Sequence, residues 1–128
     1  MDSSEALEVV RQNKGRGTLA TLNPDGSPHL AVALAAIVDG KLWISTPVTT
    51  VKARNVERDP RATMSFGIRP WIALTGRATV LREDLPAKLR HYYRTAAGEH
   101  PDWDDYDRAM ILEKRVILEI TPERAYGS

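Results

Sequence analysis

Apolar residues in this chain recur mostly at every second position, in short runs separated by tight turn signals, and that period restricts the fold to an antiparallel sheet or barrel. Strand patterns cover residues 18–22, 28–38, 41–45, 61–66, 71–81 and 114–120. Asn23-Pro24-Asp25-Gly26 and Asp39-Gly40 are hairpin turns, because proline fixes one dihedral and glycine accepts a positive one. Gly76, inside an otherwise continuous run, predicts a bulge or a barrel bend.

Helical spacing interrupts this pattern four times. Residues 5–13 follow two serines, residues 51–58 follow two threonines, residues 84–97 open on a capping Asp84 with an early proline, and residues 101–112 open on massed acids. The expected order is helix, three strands, helix, two strands, two helices, strand. At 128 residues and 14.3 kDa the chain is expected to form one domain, residues 1–128, with a real core.

Residues 28–38 divide unusually. Leu30, Val32 and Leu34 lie on one face of the strand, and His29, Ala31, Ala33 and Ala35 on the other. A core favours bulk on its buried side, so the alanine face either meets another backbone closely or leaves room for a flat ligand. A strand packed beneath a helix fits the same residues.

The segment Ser45-Thr46-Pro47-Val48-Thr49-Thr50-Val51-Lys52-Ala53-Arg54-Asn55 carries the most chemistry. It reads as a strand end, a hydroxyl-rich loop and the first turn of a helix. Unpaired N–H groups and the positive end of the dipole gather anions at such a start. Thr49 or Thr50 can cap it, Lys52 adds a full charge, and Asn55 shares the face of Lys52 three residues on. The same residues also fit an ordinary capped helix with a solvated lysine.

Other chemistry is absent or weak. Charge is balanced, 18 Lys plus Arg against 17 Asp plus Glu, so no global field draws in nucleic acid or a membrane surface. The longest weakly polar run, residues 30–38, falls far short of the roughly 20 residues of a membrane helix. No signal peptide is visible at the acidic start, so a soluble, cytoplasmic protein is the expectation. Cysteine is absent, the three histidines lack metal-ligand spacing, and Asp102, Asp104, Asp105 and Asp107 lack the glycine and terminal glutamate of a calcium loop. No metal site is expected. Neither a Gly-x-Ser-x-Gly elbow nor a glycine-rich nucleotide loop occurs, so no catalytic residue is assigned.

Several stretches resemble the split-barrel flavin and deazaflavin oxidoreductases, the superfamily of pyridoxamine phosphate oxidase. Gly17-Thr18-Leu19-Ala20-Thr21 with Asp25-Gly26-Ser27-Pro28-His29 resembles the first hairpin of that family, and residues 52–62 resemble its phosphate helix. Tyr93-Arg94, Ala97-Gly98-Glu99-His100-Pro101-Asp102-Trp103-Asp104-Asp105-Tyr106, Arg115-Val116 and Ala125-Tyr126-Gly127 are similar to the F420-binding actinobacterial branch.

The resemblance implies a mainly β fold, a six-stranded antiparallel split barrel with flanking helices that forms a homodimer with two cofactor grooves between subunits. It implies F420 as cofactor, with FMN the alternative, and hydride transfer to a conjugated small organic substrate. A pyridoxamine phosphate oxidase-like FMN protein and a non-catalytic F420 carrier are the rival functions. By resemblance the cofactor contacts are Lys52 and Asn55 at the phosphate, Ser45, Thr46 and Thr50 along the phosphate and ribityl region, His29 near the ring, and Trp71 reaching it from the partner chain. Trp71 reads equally as packing, and His29 as a hydrogen-bonded barrel residue.

Overall fold

Asp39 and Gly40 both adopt positive φ, 50° and 76°, the backbone that a two-residue hairpin of right-handed twist requires. In the computed structural model, which describes residues Met1–Ser128, they join strand β3 (Ala36–Val38) to β4 (Lys41–Pro47). Before them run α1 (Ser3–Gln12), β1 (Arg16–Leu22) and β2 (Pro28–Leu34). After them come α2 (Val51–Arg58), β5 (Arg61–Phe66), β6 (Ile72–Leu81), α3 (Leu85–Ala97), α4 (Trp103–Leu112) and β7 (Arg115–Gly127).

The strands form one antiparallel sheet in the order β2-β1-β5-β6-β7-β4-β3. Its two end strands are consecutive in the chain, so the sheet curls until its edges meet at Ala35. This is the mainly β split barrel with flanking helices that the sequence led us to expect.

There are seven strands rather than six, because the run 28–38 breaks. Ala35 N–H leaves the ladder and donates to the Gly15 carbonyl at 2.8 Å. That bond turns one long strand into the two sides of the seam.

The last strand also outruns its expected end at residue 120. Pro122 cannot donate to a ladder, yet β7 continues through it because the register shifts between Thr75 and Gly76. Only glycine fits opposite: a Cβ on Gly76 would lie 2.0 Å from the Thr121 carbonyl oxygen.

Alternation separates two cores. Leu42, Ile44, Leu118 and Ile120 point inward with Leu19, Met64, Phe66, Ile72 and Leu74, and α1 and α2 add Val10 and Val56 to this cluster. Trp43 and Ile117 point outward, beneath Leu89 of α3 and Tyr106 of α4. Burial pushes the Tyr106 phenol up to about 12, and its hydroxyl donates to the Leu89 carbonyl at 2.8 Å.

One helix cap matches expectation and two differ. Asp102 caps α4, accepting from Asp105 N–H at 3.1 Å, so the acids there serve a helix start. Asp84, expected to cap α3, sits at φ 51° and makes no capping bond. α1 is capped by Asp2, ahead of the two serines. No helix is long and apolar enough to cross a membrane.

Candidate functional site

β4 ends beside the start of α2, and its alternation sends neighbouring hydroxyls to opposite sides. Thr46 is fully buried, its Oγ1 2.8 Å from Thr50 Oγ1 and 3.2 Å from the Pro47 carbonyl. Thr50 caps α2 by accepting from Ala53 N–H at 3.4 Å. These two hydroxyls shape the loop from within. Ser45 faces outward, with its Oγ 3.4 Å from Arg115 Nη1.

Lys52 lies in the first turn of α2, half-buried. No carboxylate offsets its charge. Burial, and after it the nearby positive charge of Arg115, hold its ammonium below the usual lysine range. Ser45, Thr46, Thr50 and Lys52 therefore do share one corner.

The other three candidates stand elsewhere. Asn55 is 2% exposed, and its amide donates inward to Thr21 Oγ1 and Asn23 Oδ1, both at 3.1 Å. Its Oδ1 accepts from Arg58 at 3.0 Å, so every polar atom of the side chain is engaged within the protein. His29 pairs with Thr21 in the β1–β2 ladder, at the same end of the barrel.

Trp71 precedes β6 and meets the Tyr126 ring edge-on at 5.9 Å. Along β7, Gly127 pairs with Ile72 while Ile117 pairs with Ser45. Ten residues separate those two rungs, about 30 Å of strand. Within one chain, Trp71 cannot reach the Lys52 corner.

Beside the corner opens a cavity of about 300 Å³, walled by Ser45, Tyr92, Tyr93, Tyr106, Met110 and Arg115. The Tyr92 hydroxyl donates to the Leu34 carbonyl at 2.7 Å, which fastens α3 to the end of β2. Burial pushes the Tyr92 phenol up, and the Ser45 backbone and Arg115 charge pull it partly back. Arg115, which the sequence reading did not assign to the site, lines this cavity beside Ser45. No local motif marks it, because only the pairing of β7 with β4 brings it to Ser45.

β2 turns its faces against expectation. Leu30 and Val32 are 63% and 85% exposed, while Ala31 and Ala33 are half-buried on the barrel side. The bulky apolar face is thus presented outward, next to the seam.

A family model described as pyridoxamine 5'-phosphate oxidase matches residues 3–128. The chain belongs to the pyridoxamine 5'-phosphate oxidase family. Several solved structures share its fold. A conserved hypothetical protein of Mycobacterium tuberculosis is 28% identical with a TM-score of 0.78, over 99% of this chain and 84% of that one. A structure named F420 reductase is 19% identical, with a TM-score of 0.72 over 93% of this chain and 94% of its own. A FAD-binding protein of Mesorhizobium loti is 20% identical, with a TM-score of 0.68 over 99% and 92%. These solved structures thus share the fold of this chain while carrying different cofactor names.

Proposed function

We propose that the chain is an F420-dependent oxidoreductase, which passes a hydride between the deazaflavin and a conjugated small organic substrate. The observation that carries this reading is the corner at Lys52. An ammonium without a carboxylate partner, beside an outward serine and a guanidinium, is a donor set suited to a phosphate-bearing ligand. The similarity of the tail to the F420-binding branch, and the shared fold of the F420 reductase, support the deazaflavin.

The redox chemistry belongs to the ring when it is bound, and the chain's residues bind and orient. Lys52, with Ser45 beside it, holds the phosphate. Thr46 and Thr50 act indirectly by fixing the loop that presents Lys52. Leu30 and Val32 offer an apolar wall against which a second subunit and a flat ring can exclude water. The distance of Trp71 from the corner supports a homodimer, in which the partner's Trp71 closes the groove. No side chain stands out as a proton donor, so orientation and exclusion of water carry the rate.

FMN is the second reading, favoured by the fold shared with a FAD-binding protein. Absorbance of the loaded protein separates the two, because deazaflavin absorbs to the blue of oxidised flavin. Steady-state oxidation of reduced F420 with a panel of quinones, enones and tetrapyrroles tests the activity. Turnover with one acceptor class is the expected result; tight binding without turnover on any acceptor would make the protein a carrier.

A further inference from the structure

α3 and α4 pack side by side over Trp43 and Ile117, joined by the bond from Tyr106 to the Leu89 carbonyl and by the ion pair of Arg90 with Asp107. Those contacts set the start of α3 against the end of α4, so the two helices run antiparallel. Where these ends meet, a cavity of about 320 Å³ stays open. Residues four apart share a helix face, so Leu85 and Leu89 wall it from one side, and Met110 and Ile111, one turn beyond Asp107, wall it from the other. Pro86 extends the first wall and has no N–H to offer. The volume lies at the small end of ligand sites, roughly 300–1,000 Å³, and an apolar wall with nothing against it forfeits contacts that a bound molecule restores.

Charge at this cavity does not balance. Asp107, Lys114 and Arg115 line it. Both Asp107 oxygens are occupied by Arg90, Oδ1 by Nε at 3.0 Å and Oδ2 by Nη2 at 2.6 Å. Arg115 is answered by Glu113, with Nε donating to Oε1 at 2.9 Å. Lys114 makes no ion pair. The dipoles of the two helix ends oppose each other, positive at the start of α3 and negative at the end of α4, which leaves the Lys114 ammonium as the net charge.

The root of that side chain is fixed. Lys114 sits at φ 55°, its N–H donates to the Ile111 carbonyl at 3.1 Å, and its own carbonyl accepts from Val48 N–H at 2.9 Å. An ammonium on a rigid root thus stands beside an apolar slot, a pairing that matches a molecule with an apolar body and one negative head.

We propose that the cavity between α3 and α4 is a second ligand site, which takes a small apolar carboxylate. The body lies between Leu85, Leu89, Met110 and Ile111, and the carboxylate meets Lys114. The apolar walls supply most of the affinity, and Lys114, exposed to solvent, selects the anion by a margin that salt reduces. This site goes beyond the cofactor corner and needs no cofactor for its test.

The probes are 2-naphthoate and its neutral counterpart 2-naphthamide, each titrated into the cofactor-free protein by calorimetry and followed by the methyl signals of Met110 and Ile111. Saturable binding of one naphthoate per protomer that moves both methyl signals is expected. At low salt, Lys114→Gln should weaken naphthoate by about three- to fivefold and leave naphthamide unchanged. Met110→Trp, which fills the cavity, should weaken both by about tenfold or more. Circular dichroism checks that each variant is folded, and the wild-type methyl shifts stand whether or not Met110→Trp folds.

Naphthoate that does not saturate, or that leaves the Met110 and Ile111 signals unmoved, would overturn the site. Naphthamide bound as tightly as naphthoate, or equal weakening of the two by Lys114→Gln, would overturn the choice of a carboxylate. Naphthoate lost in Lys52→Ala but kept in Lys114→Gln would place it in the cofactor corner and likewise overturn the proposal. Naphthoate binding that depends on Lys114 and Met110, with no binding of F420 or FMN, would uphold this site and remove the cofactor reading instead.

Discussion

The Asn55 amide reaches across 34 residues to donate to the Thr21 hydroxyl at 3.1 Å, and both side chains are all but sealed from solvent. The same amide donates to Asn23 Oδ1, while Arg58 donates to Asn55 Oδ1 and to the Leu22 carbonyl. α2 is thus bolted to the end of β1 through one polar side chain. Removing it leaves a buried hydroxyl without its donor, so Asn55→Ala is expected to cost about 1–3 kcal/mol. Urea denaturation with an unchanged slope checks this. Affinity for the phosphate ligand, measured well below the unfolding midpoint, is expected to hold within a few-fold.

The barrel seam depends on Gly15. It sits at φ 73°, and a Cβ there would lie 2.0 Å from the Ala35 carbonyl oxygen, against the strand whose N–H it accepts. Gly15→Ala is therefore expected to destabilise by at least about 2 kcal/mol. Gly26→Ala is the comparison, since Gly26 has φ 86° but nothing within 4 Å of an added Cβ. Thermal melts of the two variants separate the clash from the dihedral cost alone.

What could be read from the sequence was what short-range rules decide. The Asp39-Gly40 hairpin, the turn at Gly26, the Gly76 bulge and the extent of α2 follow from local dihedral needs and period. The break at Ala35 was hidden, because it is made by a hydrogen bond to Gly15 twenty residues away. The orientation of β2 was hidden too: alternation separates two faces but does not say that the larger one points outward. Within the site, Lys52 and Thr50 were legible from a helix start. Asn55 shares the helical face of Lys52 only nominally, since its side chain turns in to Thr21, and Arg115 enters only through strand register.

The exposed face of β2 carries the expectation of a dimer. Val32→Glu places a charge on a side chain that is 85% exposed in the single chain, so the fold itself has little to lose. If a second copy covers this face, the charge is buried without a partner and the assembly weakens strongly. Sedimentation is expected to show a dimer for the wild type and a monomer for the variant, both with the same circular dichroism.

Lys52 imposes a pH dependence whose sign is fixed. Its ammonium is held below the usual 10.5 in the folded chain, so the unfolded chain binds that proton more tightly. Stability is expected to rise with pH between the folded value and 10.5, and this rise is absent in Lys52→Met. Ligand binding moves the other way, because the phosphate needs the ammonium: affinity is full below the folded value and falls as pH rises through it. Parallel titrations of stability and of FMN affinity from pH 7 to 11 check both slopes. At neutral pH, Lys52→Met is expected to melt no lower than the wild type while binding worse.

A fluorescence titration of the purified chain with F420 and with FMN, repeated on Lys52→Ala, bears most directly on the cofactor corner. Saturable binding of one F420 per protomer is expected, tighter than FMN and weakened by about 1.5–3 kcal/mol in the variant. If neither ligand saturates, or if Lys52→Ala binds as well as the wild type, the corner does not hold a phosphorylated redox ring.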